Sequence, residues 1–81
     1  MEKIIFYTKL NCHLCDEAYE ILLEVINDIP LQIDVVDVGL STKKDLMARY
    51  RERIPVIGKP GATDELSWPF TVADIRVYLG T

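Results

Sequence analysis

The apolar and polar positions change period several times along the chain, and each change marks an element. "KIIFYT" (3–8) is a short run of β-branched and aromatic residues, the pattern of a buried strand. Leu14, Ala18, Ile21, Leu22, Val25 and Ile26 then recur at helical spacing, while Asp16, Glu17, Glu20 and Glu24 fill the opposite face. This predicts an amphipathic helix over 13–27, ended before Pro30 because a proline drives the preceding residue out of helical geometry. "LQIDVVDV" (31–38) predicts a second strand, bounded by Pro30 and Gly39. Thr42 with Asp45 has the spacing of a capping box, and Leu46, Met47 and Tyr50 continue it as a short second helix. "RIPVIG" (53–58) reads as a third strand whose proline, unable to donate to a ladder, argues for an edge or a special position. A Pro-Gly turn in "KPGATD" leads to a weaker fourth strand at 64–67. Thr71 with Asp74 repeats the capping signal, and Val72, Ile75, Leu79 and Gly80 complete a third helix.

The order is β-α-β-α-β-β-α. The first strand–helix–strand unit is expected to cross over in parallel, and the Pro-Gly turn to make the last two strands antiparallel. A four-stranded mixed sheet with helices on both faces, a three-layer α/β/α sandwich, would bury the first two strands on both sides. With 81 residues and no repeat or linker, residues 1–81 are expected to form one small domain.

Composition narrows the function. Thirteen acidic against nine basic side chains give a net charge of -4, and "RYRER", the densest basic stretch, is interrupted by Tyr50 and Glu52. A phosphate backbone would repel such a surface, so nucleic acid is not an expected partner. No apolar run approaches the length of a signal peptide core or a membrane span, which makes a cytoplasmic chain with no membrane partner the expectation. In that reducing compartment a purely structural disulfide is not expected, so the two cysteines need another explanation.

Those cysteines stand in "KLNCHLC", with the only histidine between them. Cys12 falls at the N-cap of the first predicted helix and Cys15 at its third position, on the same side of the turn. That spacing suits the Cα–Cα distance of about 5.5 Å that a disulfide prefers. Unpaired N–H groups and the positive end of the helix dipole favour a thiolate at Cys12, and Lys9 adds a positive charge nearby. Asp16 and Glu17 oppose the thiolate, so only a moderate fall in its pKa is expected. Cys15, deeper in the turn, suits the resolving thiol. His13 is read either as a tuning cation beside the thiolate or as a solvent-facing residue.

"KLNCHLC" after the first strand, with "IPV" (54–56) opening the third, resembles the thioredoxin superfamily and its glutaredoxin-like branch over nearly the whole chain. "ELSWPF" before a capped helix is similar to short bacterial glutaredoxin-like proteins. The resemblance implies a thioredoxin-like fold, Cys12 as nucleophile and Cys15 as resolving cysteine. It further implies a cis Pro55 facing the cysteines, and an Ile54 backbone free to pair with an extended substrate or glutathione. Trp68 would border the groove where glutaredoxins bind glutathione. His13 and Leu14 stand where glutaredoxins usually carry Pro and an aromatic, and the Gly-Gly and Asp that hold glutathione have no match in "LSWPF".

The leading expectation is a monomeric dithiol–disulfide oxidoreductase with no bound cofactor and no metal. It would act on protein or glutathione mixed disulfides, with a reductase or glutathione as electron donor. Two alternatives stay open: a metal or iron–sulfur site completed by ligands from elsewhere, and an interaction module whose cysteines only tune binding. Asp34 and Asp37, three apart on a strand, point to opposite faces and read as solvated strand ends. Tyr7, Tyr19 and Tyr50 are expected to be half-buried with hydroxyls in water.

Overall fold

The structure, a computed structural model, describes residues 2–39, 50 and 53–80. It contains β1 (Glu2–Thr8), α1 (His13–Asp28), β2 (Leu31–Asp37), β3 (Val56–Gly58), β4 (Glu65–Ser67) and α2 (Val72–Leu79). The helix expected around 42–50 lies, except for Tyr50, outside the described residues. The strands form one sheet in the order β2-β1-β3-β4. β1 and β2 are parallel, with Ile4 opposite Ile33, as the crossover required. β1 and β3 are antiparallel with Phe6 opposite Ile57, and β3 and β4 are antiparallel with Ile57 opposite Leu66.

The period of two along each strand divides the core between the faces of the sheet. Ile4 and Phe6 of β1 and Ile57 of β3 meet Ala18, Leu22 and Val25 of α1 and Ile75 and Leu79 of α2. Each of these side chains except the small Ala18 contributes about 1.5–3 kcal/mol when fully buried. Tyr7 and Val56 point the other way and pack with Val38 and the helical residue Tyr50. An ion pair between Arg76 and Asp28, 3.5 Å apart, ties α2 to α1 on the first face.

The structure corrects three expectations. β2 is not buried on both sides: it is the edge strand, and its Val35 is 56 % exposed. An apolar run reports strand formation but not the strand's place in the sheet. β3 begins only at Val56 and is an inner strand, so Pro55 stands just before the ladder to which it cannot donate. Tyr50, expected to be half-buried and wet, is 2 % exposed. Its ring stacks on Tyr7 with centroids 4.2 Å apart, and its hydroxyl donates to Glu65. Arg53 holds the other oxygen of that carboxylate at 3.0 Å.

Local chemistry explains the turns. The Ala62 N–H donates to the Lys59 carbonyl at 3.1 Å, closing the Pro60-Gly61 turn with Gly61 at φ 77°. Thr71 Oγ1 accepts from the Asp74 N–H at 3.1 Å and the Asp74 carboxylate accepts from the Thr71 N–H at 2.9 Å, the reciprocal box expected from sequence. Gly80, at φ 81°, ends α2 in the left-handed conformation.

Candidate dithiol site

The loop from β1 to α1 turns sharply at Asn11, whose φ of 60° is left-handed. Asparagine is one of the few residues that accept this conformation readily. The turn delivers Cys12 as N-cap in extended geometry, φ -105° and ψ 103°. The Cys12 carbonyl accepts from the Asp16 N–H at 3.2 Å, the first helical bond. Its Sγ accepts from the Cys15 N–H at 3.1 Å. A sulfur thus does what a Ser or Asp oxygen usually does for the orphan donors of a helix start.

Cys12 and Cys15 are joined as a disulfide with Cα atoms 5.2 Å apart. Their surroundings differ. Cys15 is 3 % exposed and belongs to the main core cluster, whereas Cys12 is half-buried at its margin. In the reduced protein, negative charge at Cys12 would meet a backbone N–H and the positive end of a 16-residue helix. Such an end is worth about 0.3–1 kcal/mol to an exposed anion, and up to about 2 kcal/mol in partly buried geometry. Asp16, in the first turn, works in the opposite sense.

The remaining predicted residues fall into two groups. Lys9 and His13 are exposed, and the His13 imidazole, its side chain 88 % exposed, lies 4.0 Å from Glu17. Ile54 and Trp68, by contrast, pack against the core cluster that contains Cys15, as Cys12 does. The Ile54–Pro55 bond is cis and Pro55 is fully buried. The resemblance implies a free Ile54 backbone, but its N–H is taken up, donating to the Tyr50 carbonyl at 3.0 Å. The Trp68 N–H donates to the Pro55 carbonyl at 3.2 Å, which fastens the Trp68 loop to the proline segment. The indole is half-buried and edge-on to Phe70, centroids 5.1 Å apart, and a second cis bond, unforeseen from sequence, joins Trp68 to Pro69.

Two exposed leucines flank the cysteines in sequence: Leu10, 75 % exposed, and Leu14, which the helical period groups with the apolar face but which is 44 % exposed. Among the described residues no three His, Cys, Asp or Glu side chains come together as a metal site would require. No helix among them is long and apolar enough to cross a membrane.

Residues 3–80 match the family described as Glutaredoxin-like domain (DUF836). Among solved structures, the chain is similar to XcR50 from X. campestris, a structural genomics target protein, with 30 % identity and a TM-score of 0.78 over 95 % of each chain. It is also similar in fold to thioredoxin O2 from Arabidopsis thaliana in its oxidized state. There the identity is 16 % and the TM-score 0.68, over 99 % of this chain and 73 % of that one. No curated protein matches the sequence. The fold is thioredoxin-like, and the C-x-x-C pair at the start of α1 supports a redox-type role.

Proposed function

The chain belongs to the Glutaredoxin-like domain family, and from that premise we propose that it is a thiol–disulfide oxidoreductase working through Cys12 and Cys15. The observation that carries this reading is the asymmetry of the pair. Cys12 Sγ sits at the helix start on a backbone N–H and is partly exposed, while Cys15 is 3 % exposed. The Cys12 thiolate attacks one sulfur of a substrate disulfide, forms a mixed disulfide and expels the other substrate sulfur as a thiolate. The Cys15 thiolate then attacks Cys12 Sγ, closes the Cys12–Cys15 bond and expels the second substrate sulfur. The dithiol is oxidised by two electrons and the substrate disulfide is reduced to two thiols. Glutathione or a reductase returns the pair to the dithiol.

In this reading the Ile54 carbonyl and the Trp68 indole receive the substrate beside Cys12, and the buried Pro55 holds the backbone between them. Lys9 and His13 modulate the thiolate from the solvent side, and their exposure limits them to small effects. Substrates are protein disulfides or glutathione mixed disulfides, handled by a cytoplasmic monomer that needs no bound cofactor.

Trapping tests the proposal. Cys15→Ser removes the resolving step, so Cys12 should accumulate as a mixed disulfide with its substrate, released by reductant on a denaturing gel. If Cys15→Ser accumulates no more adduct than Cys12→Ser, the oxidoreductase reading fails.

A further inference from the structure

α1 buries one stripe and leaves a second apolar stripe uncovered. Tyr19 is 41 %, Leu23 45 % and Ile26 36 % exposed, although they adjoin the buried Ala18, Leu22 and Val25 in sequence. Each stands one position after a buried residue, about 100° further round the helix, so the three line a single flank. Cys12, Tyr19 and Ile26 follow one another at seven-residue intervals, roughly two turns. The line therefore begins about 10 Å along the helix from Cys12.

The patch continues onto the sheet. Leu31, Ile33 and Val35 share one face of β2, and the first two belong to the core beneath α1. Val35 lies opposite Phe6, whose ring centroid is 6.0 Å from that of Tyr19, and Val35 is 56 % exposed. α2 packs on the other flank of α1, where Arg76 reaches Asp28, so no described element covers Tyr19, Leu23 and Ile26.

The helix that carries this patch bears one sign of charge. α1 has five carboxylates and no Lys or Arg. Asp16 and Glu20 border the apolar line without an ion-pair partner among the described residues. A second copy docking here would bring the same carboxylates face to face, each chain with a net charge of -4. We infer that the flank formed by Tyr19, Leu23 and Ile26, with Val35, docks a partner protein that presents apolar side chains among Lys and Arg. Apolar contact supplies the affinity, and the carboxylate rim orients the encounter. The inference rests on the proposed thiol exchange, because a partner seated on this line holds its disulfide over Cys12.

The test separates docking from chemistry. Cys12→Ser/Cys15→Ser protein, which can form no mixed disulfide, is titrated with an amphipathic helical peptide of Leu and Lys and with its Leu and Glu counterpart. The Lys peptide should bind at least about tenfold more tightly and shift the amide resonances of Tyr19, Leu23, Ile26 and Val35. Leu23→Ser and Glu20→Lys should each weaken it about tenfold, the scale of one apolar side chain or one charge reversal. Equal binding of both peptides, indifference to Leu23→Ser, or a dimer in sedimentation that Leu23→Ser abolishes would each overturn the inference. Wild-type protein is assayed in parallel with a small aromatic disulfide. Exchange without peptide binding defeats the docking surface alone, and binding without exchange defeats the oxidoreductase reading alone.

Discussion

Tyr50→Phe removes one hydroxyl from the network that braces the segment before Pro55, and its effect can be worked out at neutral and alkaline pH. Tyr50 is 2 % exposed, stacks on Tyr7 and donates to Glu65, while its carbonyl accepts from the Arg53 and Ile54 N–H groups at 2.9 and 3.0 Å. At neutral pH the substitution deletes a hydrogen bond to a charged acceptor, worth about 1.5–3 kcal/mol. Arg53 stays on Glu65, so the carboxylate is not stranded, and the lower half of that range is expected. Burial first, and the bond to Glu65 second, hold the Tyr50 phenol above its ordinary value of 10.0. The folded protein therefore keeps a proton that the unfolded chain releases above about pH 10. The stabilisation is complete below that pH and is lost as pH rises beyond it, at about 1.4 kcal/mol per pH unit. Tyr78 is shifted the same way by burial and by Asp64, but it is present in both proteins and cancels in the comparison. Urea unfolding of wild type and Tyr50→Phe, at neutral pH and near pH 11, measures both quantities. Wild type should be the more stable at neutral pH, and the gap should narrow in alkali. A neutral gap under about 0.5 kcal/mol, or one unchanged in alkali, would refute the reasoning.

Asn11→Val should lower the unfolding free energy measured in urea by about 1–2 kcal/mol and slow exchange at Cys12, because the left-handed turn penalises a β-branched residue. Asn11→Gly, which tolerates that backbone, should leave both nearly unchanged, and equal behaviour of the two variants would count against a role for the turn. Thr71→Ala should cost about 0.5–2 kcal/mol through the lost cap of α2 while leaving thiol labelling untouched. Trp68 and Cys12 pack against the same cluster, so reduction of the quenching disulfide should brighten tryptophan emission. Unchanged emission would put the indole out of range of the sulfurs and remove it from the proposed site.

What the sequence revealed and what it hid divide along physical lines. α1, the Thr71–Asp74 cap and the Pro60-Gly61 turn are set by neighbours within four residues, and all three were legible. So was the placement of Cys12 at the N-cap, since a strand, a short loop and a helical period locate it. The edge position of β2 was not, because a run such as "LQIDVVDV" has the same pattern beside one neighbour as between two. The environment of Tyr50 was hidden too, since Glu65 lies fifteen residues away and meets it only after β3 and β4 pair. The same holds for the Ile54 N–H, which the Tyr50 carbonyl takes up. Of the exposed flank of α1, the helical period assigns only Ile26 to the apolar face, leaving Tyr19 and Leu23 outside it. Periodicity shows which residues are apolar, but not how wide a stripe the sheet covers.

The central claim is that Cys12 is the attacking thiol and Cys15 the resolving one. It is tested most directly by limited alkylation of the fully reduced wild-type protein across a pH series, with peptide mapping of the first label incorporated. The account predicts that Cys12 is labelled first, with its reactivity rising at a pH below the ordinary thiol value of about 8.5, and that Cys15 follows only on denaturation. Preferential labelling of Cys15, or equal labelling of both at the rate and pH of a free thiol, would contradict it.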